Sequence, residues 1–218
     1  MHTDTLEAAQ WWAQSRGATS ANWIANYQRS LHSRQRDVIS GIMRELAPAE
    51  VLEVGCHCGP NLVRLAQEHP TLRAIGVDIN AEAVAAGRQW LTSAGLESRV
   101  QLNAGRFPAV TAGIADGAFD VVLSCYALAY IAPVDLEAAL YEMGRLAARA
   151  VVLAEPQTDQ VPAAQSARSL SGYTEWTHRY TAALPWVGSL RDVTCRTVPV
   201  DPPVDKLNAV LVITRNVA

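Results

Sequence analysis

Five short apolar runs, at residues 51–55, 74–79, 99–104, 119–124 and 150–154, alternate with stretches whose apolar residues recur at helical spacing. No other feature narrows the choice of fold as far. Tight hairpins cannot join parallel strands, and the intervening helical stretches supply the crossovers that such strands need. The alternation predicts an α/β fold with a mostly parallel sheet and helices on both faces. Residues 34–47 carry an apolar face of Val38, Ile39, Ile42, Met43 and Leu46, and Pro48 closes that helix. A second helix, 61–69, presents Leu62, Leu65 and Ala66. Asn80 caps a third that runs to Leu91, with Glu82 in its first turn, and Pro133 opens a fourth that runs to 148. The chain ends differently. Runs 191–200 and 206–215 are separated by a loop holding Pro202 and Pro203, too short for a helix, so they pair antiparallel and complete a seven-stranded sheet.

Composition allows such a fold. Half of the 218 residues are hydrophobic and 18% are charged, which supports a real core and excludes global disorder. Eighteen Lys and Arg against 21 Asp and Glu leave a net charge of −3, which argues against an electrostatic nucleic-acid binder. No run reaches the roughly 18 apolar residues of a membrane span. The first ten residues lack the basic and apolar regions of a secretory signal. Four cysteines, Cys56, Cys58, Cys125 and Cys195, are too few and too uneven to staple the chain, so a reducing cytoplasm is the expected location.

The segment Val51-Leu52-Glu53-Val54-Gly55-Cys56-His57-Cys58-Gly59-Pro60-Asn61 is the most informative. A strand ends at Gly55, Gly59 makes the turn, and a helix starts at once, so backbone can approach a ligand at the carboxyl edge of the sheet. Asp78 ends the second strand about 20 residues further on, where an acid accepts from ribose hydroxyls. A dinucleotide fingerprint would need glycines where His57 and Pro60 stand, so the pyrophosphate cradle is missing. Glu53 would repel a phosphate but can accept from an ammonium. A ligand with a ribose and no phosphate fits these residues better.

At this point the chain resembles the class I S-adenosylmethionine-dependent methyltransferases. Glu53 to Gly59 is similar to their first motif, with His57 in place of the middle glycine; Gly76-Val77-Asp78-Ile79-Asn80 is similar to the second, and Phe119 to Cys125 to the fourth. The terminal hairpin matches the family's reversed seventh strand, and the resemblance covers roughly residues 35 to 155 plus that hairpin. It implies a Rossmann-like fold and S-adenosylmethionine as cofactor. It implies that Glu53 and Gly55, in a loop with Cys56, His57 and Gly59, hold the methionine end. By the same resemblance Asp78 holds the ribose, Ile79 packs on the adenine, and Ser124 lines the methyl-donor channel. The third motif usually offers Gly-Asp, whereas this chain has Gly105-Arg106; arginine has no acceptor, so backbone groups or another side chain must serve the adenine amino group.

Residues 1–48 are expected to form a helical lid over a catalytic domain of 49–218, within which 156–190 is an insertion covering the substrate. In the lid Trp23, Asn26, Tyr27 and Arg29 stand where they can fold over the cofactor, Tyr27 being the candidate for touching it with Arg29 behind it; Trp11 and Trp12 serve packing at least as well as a substrate platform. Within the insertion His178 is the best general-base candidate, because its ordinary pKa lies near neutrality. Tyr126, just after the fourth strand, is the second catalytic candidate. Cys56, His57, Cys58 and His69 are zinc-type donors, but the ligand loop already explains the first three, and no metal is expected.

The implied reaction is methyl transfer to a small polar acceptor, O- or N-methylation of a sugar or natural-product metabolite. Direct displacement at an activated sulfonium needs alignment more than a catalytic triad. Two other readings stand beside it: an RNA or protein methyltransferase, and a non-catalytic cofactor-binding regulatory or scaffold subunit. The partner expected is a small molecule, with membrane and nucleic acid disfavoured and self-association left open.

Overall fold

The computed structural model describes residues 1, 3–14, 21–157, 164–168, 174–184, 187–190, 192–204 and 207–216. Parts of the 156–190 insertion and the Trp23 side chain lie outside the described residues. Three helices come first: α1 (Thr3–Gln14), α2 (Ala21–Arg29) and α3 (Arg34–Leu46). The alternating body follows as β1 (Glu50–Val54), α4 (Pro60–Glu68), β2 (Arg73–Asp78), α5 (Ala81–Ser93), β3 (Val100–Ala104), β4 (Phe119–Cys125), α6 (Pro133–Leu146) and β5 (Ala147–Ala154). A two-stranded antiparallel unit, β6 (Ala164–Arg168) and β7 (Thr174–His178), fills part of the insertion before the short α7 (Tyr180–Ala183). The chain closes with β8 (Val193–Val204) and β9 (Leu207–Arg215).

The seven strands stand in the order β3-β2-β1-β4-β5-β9-β8. The first five are parallel, and β9 runs antiparallel to both neighbours. From β1 the chain builds outward to β3 on one side and then returns to build β4 and β5 on the other. The crevice of such a sheet lies where the order reverses, at the carboxyl ends of β1, β2 and β4.

Each face of the sheet has its own core. Ile39 and Met43 of α3, Leu62 and Leu65 of α4, and Val84 and Leu91 of α5 pack on one face. Leu136, Leu140, Met143 and Leu146 of α6 pack on the other, together with Tyr180 and Leu184. The helix face expected at Val38, Ile39, Ile42, Met43 and Leu46 and the α6 stripe are therefore the packed surfaces. Two boundaries differ from the reading of the sequence. β5 begins at Ala147 rather than 150, because Ala147 pairs with Phe119 and the alanines leave α6 for the sheet. β8 runs through Pro202 and Pro203 to Val204, with its register irregular beyond Pro199. It is the edge strand, where a missing N–H costs no ladder bond on the outer side.

Candidate active site

The turn after β1 is built by three left-handed residues, Gly55 (φ 73°), His57 (φ 50°) and Gly59 (φ 77°). Only glycine fits position 55, since a Cβ there would meet the Ala127 Cβ at 2.2 Å. Gly59 N donates to Cys56 O (2.8 Å) and opens α4. The Asp78 carboxylate pins the turn, accepting from His57 N and from Asn80 N, each at 2.8 Å. Cys56 is buried, its sulfur against the sheet where a Cβ on Gly76 would come within 2.7 Å. The first strand's glycine, the turn and the acid of β2 thus form one hydrogen-bonded unit.

Beside this unit lies a cavity of about 420 Å³. Gly55, His57, Asp78, Ile79, Gly105 and Arg106 line one part, and Cys125, Tyr126, Leu128, Tyr130, Ile131 and Asp135 another. Thr5, Ala9 and Trp12 of α1, with Tyr27 of α2, form a further wall. Tyr27 stacks on His57 with ring centroids 4.6 Å apart, and burial holds its phenol above its ordinary pKa. Trp12 packs against Tyr130 at 5.1 Å. Arg29 is engaged with Asn26 and does not line the cavity.

Glu53 lies beneath the turn, buried, and accepts from Asn61 Nδ2 at 2.5 Å. Its Oε2 and the Asn61 Oδ1 are both shut off from solvent without a hydrogen-bond partner. Glu53 and Asn61 do not themselves line the cavity; an ammonium that reached their orphaned oxygens would favour the ionised form of Glu53, and the pinned Asp78 carboxylate suits ribose hydroxyls. The Asp78 oxygens have each taken one backbone N–H, and a carboxylate oxygen has room for a second donor. These residues fit S-adenosylmethionine.

Desolvation pushes the Glu53 carboxyl up to about 8, against the opposing pull of Asn61 and the Arg36 guanidinium. Arg36 was not singled out from the sequence. It is buried, 5.9 Å from the Tyr27 ring centroid, with Nη1 donating to Ser30 and Ser33. A charged residue on the same helical face as Ile39 and Met43 was the signal that could have found it.

The Glu53 shift has a sign. The folded chain holds a proton that the unfolded chain releases above its ordinary value of 4.5. Stability from this group is complete below that value and is lost as pH rises through about 8. Glu53→Gln, neutral at every pH, is expected to flatten the fall in melting temperature between about pH 5 and 9. An unchanged slope would assign the proton to another group.

Glu53, Cys56 and Gly59, expected at the cofactor, belong to the buried side of the turn and do not line the cavity, and three further expectations need correction. Ser124 does not line the cavity; it is fully buried, and its hydroxyl donates to Glu155 Oε1 at 2.7 Å. Strand alternation turns its neighbour Cys125 to the cavity instead. The Tyr126 ring does line it, but the hydroxyl donates to Val204 O at 2.7 Å, so its proton is committed elsewhere. His178 is only 1% exposed and lies behind the wall. Its Nε2 is bonded to Leu128 O (3.1 Å) and Ile131 O (3.0 Å), which fixes the proton on that nitrogen. Burial pushes its pKa down to about 4. His178 therefore holds the 128–131 turn and does not face an acceptor. No described residue of the 156–190 insertion lines the cavity; α1 takes that place.

Glu155 was also missed. Fully buried, it accepts from Ala127 N (2.8 Å), Leu128 N (3.1 Å) and Ala129 N (3.3 Å) besides Ser124. Glu155 and His178 thus clamp one turn from both of its polar sides, the carboxylate on its N–H groups and the imidazole on its carbonyls. Among the described residues no three metal-donor side chains come together, and no helix is long and apolar enough to cross a membrane.

An open sheet with a reversed last strand, a glycine turn after β1 and an acid after β2 are the features of the Rossmann-like methyltransferase fold. Residues 51–150 match the family model described as a methyltransferase domain. The chain is 31% identical over 125 residues to ajmaline N-methyltransferase of Rauvolfia serpentina, a match covering 56% of this chain and 41% of that protein. The chain spans less than half the length of the curated relatives it matches. Its fold is that of magnesium protoporphyrin IX methyltransferase from Synechocystis PCC 6803, solved with bound cofactor, at TM-score 0.68 and 15% identity over 99% of both chains. A Burkholderia thailandensis 1,6-didemethyltoxoflavin N1-methyltransferase aligns at TM-score 0.63 and 14% identity, covering 94% of this chain and 91% of that one.

Proposed function

We propose that this protein transfers a methyl group from S-adenosylmethionine to a small molecule. The observation that carries the reading is the continuity of the cavity from Asp78 and His57 to the aromatic wall of Trp12 and Tyr130. The residues proposed for cofactor and acceptor, apart from Glu53 and Asn61, line one half-open space of about 420 Å³, the size of small-ligand sites. Glu53 and Asn61 would hold the ammonium end, Asp78 the ribose, and Ile79 the face of the base. The bound cofactor supplies an electrophilic methyl on sulfur. The residues of this chain supply alignment and exclusion of water, which is where the rate gain of such a displacement lies.

The acceptor side is walled chiefly by Leu128, Tyr130, Ile131, Ala138 and Ala139, with Asp135 as its carboxylate. That wall suits a ring-bearing natural product better than a sugar. Neither Tyr126 nor His178 supplies a base, so the acceptor proton leaves to water or to Asp135. A space walled by α1 also favours a small acceptor over RNA or a protein side chain. Incubation with methyl-labelled donor and a panel of phenolic and amine metabolites tests the proposal. Transfer to at least one compound is the expected result. Binding of S-adenosylhomocysteine without any transfer would favour a regulatory subunit.

A further inference from the structure

We propose that Arg106 reads the purine of the cofactor as a hydrogen-bond donor, giving bonds to ring acceptors instead of taking one from the 6-amino group, so that this site does not select 6-amino over 6-oxo purines. The inference rests on the reading of the cavity as an S-adenosylmethionine site, and three observations carry it.

The first is position along the sheet edge. Glu53 belongs to β1, Asp78 ends β2, and Arg106 follows β3. Ala104 pairs with Asp78, and Gly105 N donates to Asp78 O at 2.8 Å, so Arg106 stands just past the ribose acid. A ligand laid with its ammonium at Glu53 and its ribose at Asp78 carries its base on towards β3. The acceptor wall lies the other way, at β4 and α6.

The second is the state of the guanidinium. Arg106 lines the cavity, and its Nη2 is shut off from solvent without a hydrogen-bond partner among the described residues. Arginine stays charged and has donors only. A charged donor hidden from water and left unpaired is costly, so an acceptor on the ligand is what this nitrogen lacks.

The third is rigidity. A Cβ on Gly105 would meet the Val110 side chain at 2.6 Å, so the backbone carrying Arg106 is seated tightly on the turn that follows. The arginine is aimed by its scaffold.

Adenine offers ring nitrogens to such a donor, while its amino group presents N–H to N–H. Hypoxanthine offers a 6-oxo oxygen next to a ring nitrogen, the pair of acceptors to which arginine donates in guanine recognition. A carboxylate at position 106 would have the opposite preference.

Calorimetry with S-adenosylhomocysteine and S-inosylhomocysteine decides the matter without any methyl acceptor. The wild type is expected to bind the two with affinities less than tenfold apart, or to prefer the inosyl compound. Arg106→Met, which keeps the stem and removes the donors, should weaken both by about tenfold, and Arg106→Asp should prefer the adenosyl compound by tenfold or more. A tenfold or greater adenosyl preference in the wild type, or an Arg106→Met that binds both as before, would overturn the proposal. A preference below tenfold in Arg106→Asp would count against it equally. Failure of the wild type to bind either compound would instead overturn the cofactor reading itself.

Discussion

Asp78→Ala is expected to weaken S-adenosylhomocysteine binding by a hundredfold or more and to lower the melting temperature as well. The carboxylate serves two tasks at once. On the cavity side it would be the acceptor for two ribose hydroxyls, and bonds to a charged group are worth roughly 1.5–3 kcal/mol each. Their loss alone is about 3–6 kcal/mol, or some hundredfold to ten-thousandfold in affinity. On the protein side it holds His57 N and Asn80 N. Without it the glycine turn keeps only the bonds of Gly55 N and Cys56 N to Val77 O as ties to β2, and α5 loses a bond just ahead of its first turn. Asp78→Asn separates the tasks, since it keeps one acceptor oxygen and removes the charge; its affinity should fall between the two. Calorimetry and thermal melts on the same preparations check both parts. An alanine variant with an unchanged dissociation constant would move the ribose away from β2.

His178→Ala should be a stability variant. It leaves Leu128 O and Ile131 O without their shared donor and opens a void in a well-packed layer. Unpaired buried carbonyls and a void together cost about 3 kcal/mol. For a chain of this size each kcal/mol moves the melting temperature by about 2–4 °C, so a drop of roughly 6–12 °C is expected. His178→Gln, whose amide can donate to both carbonyls, should recover most of it.

The pH dependence follows from the same burial. The folded state refuses a proton that the unfolded histidine accepts, so this stability is present above the ordinary value of 6.5 and is lost as pH falls through about 4. His178→Gln should lack that acid slope. Cofactor binding should stay close to wild type in both variants, because its contacts come from β1 to β3, while KM for an acceptor should rise in the alanine variant as the 128–131 turn loosens. A normal melting temperature with a collapsed rate would restore His178 as a proton carrier.

The two variants mark where the sequence was legible. Asp78 could be read because its role is local: a strand end, a fixed distance beyond a glycine turn, in a pattern with period two and then 3.6. The parallel body of the sheet followed from the same alternation, and the reversed last strand from a loop too short for a crossover. His178 could not be read, because its role depends on which face of a distant turn it meets. The chain between β5 and β8 carries no periodic signal that sets its path. Ser124 and Cys125 differ by one position on a strand, and one position decides core against cavity. Glu155 and Arg36 were missed for a related reason. Charged residues at an element end read as solvated until the packing shows the backbone N–H groups or the aromatic ring that they serve.

The attachment of α1 has a consequence for traffic through the cavity. Thr5 Oγ1 accepts from Ala132 N at 2.8 Å, on the α6 side, and Trp12 O accepts from Asn80 Nδ2 at 2.9 Å, on the α5 side. The helix therefore bridges opposite banks with a polar tie to each and the Trp12–Tyr130 contact between them, while its Ala8 is fully buried and the neighbouring Met1 ammonium pairs with Asp135. Each tie is worth about 1 kcal/mol and the aromatic pair about as much. Detaching the helix then costs at least roughly 3 kcal/mol, against the 5–15 kcal/mol that holds a whole domain folded. At that cost at most about one molecule in a hundred and fifty stands open at any instant, with its seven strands undisturbed. Donor and acceptor pass the same bridge, so whichever arrives second must wait for the span to lift again.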